Sequence, residues 1–396
     1  MTKGKKATMT RHTRLMAGLM LLLIGTAAAS AASAQEGSDP AGAPSEPTMA
    51  ASEGDSESFT AEAVKAEVAL TDEVEPEKDD DKWKSPWRGT SITYRNAATA
   101  LSFKKDAELT YNPYYEMSWS FHPMWWVGDV FNAAVDFAIT RELTESDGTT
   151  YDDEALFSDV TLTLAASKFA TIPVLKIDMS ASLALIGPSS KSSQARTMMF
   201  GMKPGLSLKR NFDVLAGITI GYSFGISKFF YESTTAQNEA AAISDCGTSS
   251  GGCAEYQNTG VRNTSWGLSN SFILSIAFIE QLSLDANFGL KHSFLYAQSG
   301  DVDNSSTDST GTEYDQMSGW DPGDDTNVRY AMIYGLGLTV TPFQALSIGL
   351  GAETGNPQLK ADATYERPFF NRYTVVYLDL TLDVDGLVQQ LTSNEE

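Results

Sequence analysis

Hydrophobic and polar residues alternate along several stretches of the chain, and residues 328–340 show this pattern most clearly. Apolar or aromatic side chains occupy every even position from Val328 to Val340, whereas the odd positions hold Arg, Ala, Ile, Gly and Thr. A period of two places successive side chains on opposite faces of a β-strand. The stretch is therefore predicted to form a strand with one apolar face and one mainly polar face.

The same alternation recurs after residue 88 and predicts an all-β structure. Many segments run for 9–15 residues, whereas strands of soluble proteins average about five or six. Strands of about 9–11 residues cross a bilayer when tilted. Ser91–Phe103 has mixed polarity and is predicted as a weaker twelfth strand. A kink or bulge is predicted at Pro204, because proline has no N–H to donate to the strand ladder. The other eleven segments are residues 115–122, 128–142, 156–166, 174–186, 197–208, 213–227, 265–278, 282–297, 328–340, 346–352 and 374–384.

The connections between these segments alternate in length. Short ones are predicted at 122–127, 168–173, 209–212, 279–281 and 341–345, and long polar ones at 143–155, 187–196, 230–262, 298–327 and 354–371. Such alternation is typical of antiparallel strands whose turns are short at one end and long at the other. Aromatic residues are predicted near the strand ends, as in an interfacial girdle, namely Trp125, Trp126, Phe212, Phe278, Phe343, Trp266, Tyr296 and Tyr330.

The first 87 residues have a different composition. Basic residues, an apolar run from Leu15 to Ile24 and the small residues Ala32-Ser33-Ala34 predict a secretory signal peptide over 1–34. Residues 35–82 hold 15 acidic and 3 basic side chains and few apolar ones. Such a segment buries too little apolar area to fold, so we predict that residues 35–87 are a disordered acidic segment in the periplasm.

An export signal followed by long alternating strands resembles an outer-membrane β-barrel protein of Gram-negative bacteria, over residues 88–385. The resemblance implies a transmembrane antiparallel up-and-down β-barrel of about twelve strands, with short turns in the periplasm and long loops outside. It also implies contact with outer-membrane lipid and with the outer-membrane assembly machinery. The terminal aromatic residue usual in this class is missing, because a polar tail over 386–396 follows the last strand.

Composition narrows the possible functions. The formal net charge of −23 argues against nucleic acid, because phosphate binding requires clustered Lys and Arg. With three His in the chain, neither a metal centre nor a cofactor is predicted. Lipid hydrolysis at His292 is the enzymatic alternative, but the outward neighbour Phe294 offers no Ser, and no enzymatic activity is predicted.

Two long loops carry candidate chemistry. Cys246 and Cys253 lie close together in the 230–262 loop of an exported chain, which predicts a disulfide. The acidic loop at 298–327 begins like a calcium loop at Asp301, but Ser306 and Thr312 stand where a turn glycine and a glutamate are needed. A solvated acidic loop is the preferred interpretation.

The polar strand faces give the functional hypothesis. They place Asp136, Lys203 and Asp379 near mid-height inside the barrel, and Lys291 and Arg329 toward its outer mouth. Twelve strands enclose a backbone radius of roughly 12 Å, which leaves a gap of roughly 10 Å between inward side chains. The hypothesis is a narrow porin-like channel for ions or small hydrophilic solutes, with these five residues lining the pore.

Three alternatives remain open at this point. The inward charges could instead pair into a plug that fills the lumen. The barrel could be a structural or surface-interaction protein whose long loops bind a partner. The chain could also be a soluble secreted β-protein such as a lectin.

Overall fold

Twelve long antiparallel strands form the wall of a closed barrel in the computed structural model of this chain. The structure describes residues 85–103, 114–144, 154–239, 256–297, 305–307, 313–315, 327–358, 364–365, 367 and 369–393. The wall strands are β1 (Ser91–Thr99), β2 (Tyr115–His122), β3 (Phe131–Glu142), β4 (Val160–Ile172), β5 (Ile177–Gly187), β6 (Met198–Phe212), β7 (Gly217–Tyr231), β8 (Thr264–Ile279), β9 (Leu282–Leu295), β10 (Val328–Phe343), β11 (Leu346–Pro357) and β12 (Thr374–Asp383).

Each wall strand pairs with the strands before and after it in the chain. The barrel closes where β1 pairs with β12, with Ser91 opposite Asp383 and Thr99 opposite Val375. The predicted fold class of an up-and-down antiparallel barrel of about twelve strands is therefore confirmed. Closure leaves no unpaired strand edge in the wall.

Short helices and short strands lie outside the twelve wall strands. Among the described residues, three of these are helical: the 3₁₀ turn Ala100–Phe103, helix α1 (Lys191–Ala195) and helix α2 (Val384–Ser393). The additional short strands are Met124–Val127, Ala155–Phe157, Thr235–Glu239, Tyr256–Arg262, Ser305–Thr307 and Glu313–Asp315. Within the described ranges, no helix is long and apolar enough to cross a membrane.

The two ends of the barrel differ in their connections. One end, here called the short-turn end, joins strands through residues 173–176, 213–216, 280–281 and 344–345, and through residues 123–130, which include the strand Met124–Val127. The opposite, long-loop end carries the connections 100–114, 143–159, 188–197, 232–263, 296–327 and 358–373. The alternation of short and long connections thus agrees with the sequence pattern.

One local expectation differs from the structure. Pro204 produces neither a bulge nor a change of register: the pairing of β6 with β7 runs through Met202 and resumes at Gly205 in the same register. The proline only interrupts the ladder, because one missing N–H can be tolerated without an inserted residue. Residues 386–393 of the predicted polar tail form most of helix α2.

Candidate functional site

Side chains along each wall strand alternate between an exposed outer face and a buried inner face. In β12, Leu378 and Leu380 are each 38% exposed, whereas Asp379 between them is 6% exposed. In β1, Thr93 and Arg95 are buried in the same way. The inner face therefore carries polar and charged groups, and the outer face carries apolar ones.

Four inner-face residues from three adjacent strands form a cluster, here called the Arg95 cluster: Arg95, Glu353, Tyr377 and Asp379. Arg95 on β1 lies directly opposite Asp379 on β12. Tyr377 precedes Asp379 by two positions on the same face, and β11, which pairs with β12, supplies Glu353. Closure of the barrel thus brings the first strand and the last two strands together at this point.

Arg95 binds both carboxylates of the cluster. Its Nε donates to Asp379 Oδ1 at 2.8 Å and its Nη2 to Asp379 Oδ2 at 3.0 Å. Its Nη1 donates to Glu353 Oε1 at 2.8 Å. A guanidinium that holds one carboxylate in a two-pronged arrangement and a second through its remaining nitrogen is fixed in orientation as well as neutralised.

Tyr377 covers the same guanidinium. The Arg95 guanidinium carbon lies 4.2 Å from the centre of the Tyr377 ring, which is a cation–π contact. The phenol extends over β11 and β10, and a Cβ added to Gly351 or Gly337 would lie 2.5 Å or 2.9 Å from the Tyr377 hydroxyl. Glycine at these two positions therefore gives the tyrosine room to lie along the wall.

The Arg95 cluster contains more negative than positive groups. Two carboxylates face one guanidinium, so the cluster retains about one negative charge when all three groups are ionised. Asp379 and Arg95 are nearly buried, while the Glu353 side chain is 23% exposed. Glu353 is therefore the more accessible of the two carboxylates.

The five residues predicted to line a pore lie on five different strands. Asp379 belongs to the Arg95 cluster, and the other four lie on strands that do not adjoin β12: Asp136 on β3, Lys203 on β6, Lys291 on β9 and Arg329 on β10. The Asp136 carboxylate contacts His122 Nδ1. Lys203 lies with its ammonium 5.6 Å from the centre of the Phe229 ring. Their role in lining a pore stays a prediction.

Sequence reasoning did not identify Arg95 or Tyr377 as functional residues. Arg95 lies in the strand with mixed polarity, and its partner is 284 residues away along the chain. The available signal was the parity of Thr93, Arg95 and Ala97, which share the inner face.

One residue assigned to the aromatic girdle has a different position. Trp125 is 55% exposed on the outer face, but Trp126 is 7% exposed. The short strand Met124–Val127 pairs Trp126 with the inner-face position Asn132. Its indole N–H donates to the Arg88 carbonyl at 3.0 Å.

His292 lies on the outer face of β9. Its cross-strand neighbours are Leu268 and Tyr330, and its ring meets the Tyr330 ring edge-on at 5.0 Å. The contact of His292 on this face is therefore one between aromatic rings.

Several predicted features lie outside the described residues. They are the signal peptide, residues 35–84 of the acidic segment, Cys246, Cys253, residues 240–255 of the 230–262 loop and most of the 298–327 loop. Their disulfide, calcium and partner-binding interpretations stay predictions. Among the described residues, no group of three or more His, Cys, Asp or Glu side chains is arranged to hold a metal ion.

Comparison with known proteins gives structural matches only. No family model and no curated protein matches the chain. An outer-membrane channel from Pseudomonas putida F1 is 10% identical, with a TM-score of 0.44, and the match covers 77% of this chain and 98% of that one. The KdgM porin, solved in complex with oligogalacturonate, is 8% identical with a TM-score of 0.35 and coverage of 74% and 98%. LpxR from Salmonella typhimurium is 11% identical with a TM-score of 0.32 and coverage of 74% and 99%.

Proposed function

We propose that this protein is an outer-membrane β-barrel that works as a narrow porin-like channel for ions or small hydrophilic solutes. The single observation that carries the proposal is the closed barrel with an exposed apolar outer face and a charged inner face. A closed barrel satisfies every backbone hydrogen bond within the wall, which is the condition for crossing lipid with strands. In this placement the wall contacts outer-membrane lipid, and the assembly machinery of that membrane inserts it.

The outer face supports this location. Large apolar side chains are exposed along most strands, with examples at Leu162, Leu164, Phe272, Leu336 and Leu350. A soluble protein rarely exposes such a continuous apolar surface. The short-turn end then faces the periplasm and the long-loop end faces outward.

The Arg95 cluster supports a preference for cations. A solute that passes β11, β12 and β1 meets Glu353 as the accessible carboxylate, with Arg95 held back against Asp379. No chemical step is involved, because polar wall groups only replace part of the hydration shell of the solute. The size of the solute is set by how far the inward side chains fill the lumen.

Single-channel recording tests the proposal. The mature protein, refolded into a planar bilayer under a KCl gradient, is expected to give discrete steps with a reversal potential that favours K⁺. Arg95→Met is expected to raise the cation-to-anion permeability ratio and Glu353→Gln to lower it, each by about two- to fivefold, since one charge in an aqueous pore contributes up to about 1 kcal/mol.

Glu154→Gln is the matched control. Glu154 pairs with Lys191 at 2.9 Å at the long-loop end, outside the wall strands. This substitution makes the same chemical change as Glu353→Gln and is expected to leave the ratio near that of the wild type. Replacing Asp136, Lys203 and Asp379 together with neutral residues should lower the cation preference, because two negative charges and one positive charge are removed.

Two results would contradict the proposal. A correctly folded barrel, verified by its heat-modifiable gel mobility, that gives no conductance steps would exclude an open channel. Steps whose reversal potential is unchanged in all these variants would remove the named residues from the mechanism.

A further inference from the structure

Lys228 lies on the outer face of the barrel, near the long-loop end of β7. Its neighbours on that face are Ile226 and Phe230, and β7 ends three residues later at Tyr231. In the register with β8, Lys228 stands opposite Trp266, which is 50% exposed. If the barrel lies in a membrane as proposed above, this lysine faces lipid at the level of the outer headgroups.

Three aromatic rings surround the ammonium group of Lys228. Its Nζ lies 4.9 Å from the ring centre of Trp266, 5.1 Å from that of Tyr296 and 5.3 Å from that of Phe230. Ser265 Oγ accepts a hydrogen bond from Nζ at 2.6 Å. Tyr296 is itself fixed, because its hydroxyl donates to the Phe229 carbonyl at 2.8 Å. The lysine is therefore held in one place.

Within the described part of the chain, no carboxylate lies within ion-pair distance of Lys228. Other cations do have such a partner: Arg95 has Asp379 and Glu353, and Lys191 has Glu154. An ammonium has three N–H donors, and the structure gives this one a single acceptor, Ser265. An uncompensated positive charge next to lipid is costly unless it reaches the interface or an anionic group.

We propose that Lys228, with Ser265, Trp266 and Tyr296, forms a binding site for a phosphate group on a lipid of the outer leaflet. The ammonium supplies the charge and its two remaining donors, and the rings supply apolar walls at the depth where headgroup and acyl chain meet. The site lies on the outside of the wall and is separate from the Arg95 cluster inside it.

Native mass spectrometry of the detergent-purified barrel tests the site with two probes. These are bisphosphorylated lipid A and its dephosphorylated form, added at equal concentration. The wild type is expected to retain the phosphorylated lipid about fivefold more strongly, which corresponds to about 1 kcal/mol. Lys228→Met is expected to abolish most of this preference.

Arg210→Met is the matched control. Arg210 is also an outward cation beside a ring, with its guanidinium 4.5 Å from the centre of Phe212, but it lies at the short-turn end of β6. This variant is expected to keep the preference of the wild type. Equal retention of the two lipids by the wild type would overturn the proposal even if Lys228→Met does not fold.

Two further outcomes are decisive. An unchanged preference in Lys228→Met would also overturn the proposal. Inorganic phosphate at millimolar concentration should not displace the bound phosphorylated lipid. If it competes as well as the lipid itself does, the site is a general anion site, and the proposal is overturned. Because the readout is lipid retention, a barrel that fails to conduct can still confirm this site, and a conducting barrel can still lack it.

Discussion

At the residue scale, the contacts of Arg95 form only because the barrel closes. The guanidinium satisfies Asp379 and Glu353 together, and Tyr377 covers it. Removing one member of such a nearly buried group leaves the other charges uncompensated, which costs more than the intact group contributes. The cluster therefore stabilises the pairing of β1 with β12 where the barrel closes.

Gly351→Ala tests whether Tyr377 needs the glycines beneath it. The new Cβ would lie 2.5 Å from the Tyr377 hydroxyl and 2.6 Å from the Leu336 carbonyl oxygen. We expect the substitution to lower the free energy of unfolding by about 1–3 kcal/mol, because the ring must leave its position or the backbone must shift. Urea unfolding in lipid vesicles, followed by tryptophan fluorescence, measures the change.

Gly187→Ala is the control for that experiment. Its new Cβ would meet only the Val160 carbonyl oxygen, at an ordinary 3.6 Å. We expect no loss of stability, or a small gain from the restricted unfolded chain. Equal unfolding midpoints for the two alanine variants would show that Tyr377 does not press on β11.

The sequence predicted inner and outer faces better than it predicted contacts between residues. A period of two is a local property, so the inward position of Asp379 follows from its own strand. The contact with Arg95 requires the pairing of residues 284 positions apart, and no local pattern encodes that register. Trp126 was misplaced for a similar reason, because a short strand turns it toward Asn132.

At the scale of elements, several hydrogen bonds hold the junction of β12 with helix α2 at the short-turn end. Asp383 Oδ1 accepts the Gly386 N–H at 2.5 Å, and the Val384 N–H donates to the Thr90 carbonyl at 3.0 Å. The Ser85 hydroxyl donates to the Asp385 carboxylate. The helix therefore starts from an aspartate cap at the end of a strand.

Asp383→Ala is expected to loosen the helix without opening the barrel. Loss of the cap costs about 1 kcal/mol, which should raise the rate of carboxypeptidase cleavage into α2 about fivefold. Mass spectrometry of the truncated products measures this rate. Asp383→Asn is the control, because asparagine caps a helix nearly as well; equally fast cleavage of both variants would contradict the capping role.

The ends of the strands show where periodicity fails as a guide. The segment predicted at 213–227 is observed as Gly217–Tyr231. Val214 and Ala216 continue the alternation into the turn, where Leu215 takes a left-handed backbone conformation at φ 58°. β11 was predicted to end at residue 352, but it reaches Pro357. The prediction stopped early because the last residues of the strand do not alternate between apolar and polar side chains.

At the scale of the whole molecule, the two faces of the barrel wall are suited to different surroundings. In a membrane, the outer face contacts lipid and the inner face contacts water or polar side chains. In a soluble barrel, both the outer face and any open lumen would be wet. The exposed apolar outer face favours the membrane, and this interpretation predicts how a single added charge is tolerated on each face.

A pair of neighbouring substitutions in β4 tests it. Leu164 is 44% exposed on the outer face, and Thr163 is 8% exposed on the inner face. In lipid, Leu164→Lys should lower the free energy of unfolding by about 2–4 kcal/mol, whereas Thr163→Lys keeps its ammonium in a polar interior and should cost less. In a soluble protein the order reverses, because a lysine substitution changes stability little at an exposed position and lowers it at a buried one. Urea titration of both variants in vesicles gives the order directly, and a smaller loss at Leu164 than at Thr163 would contradict membrane residence.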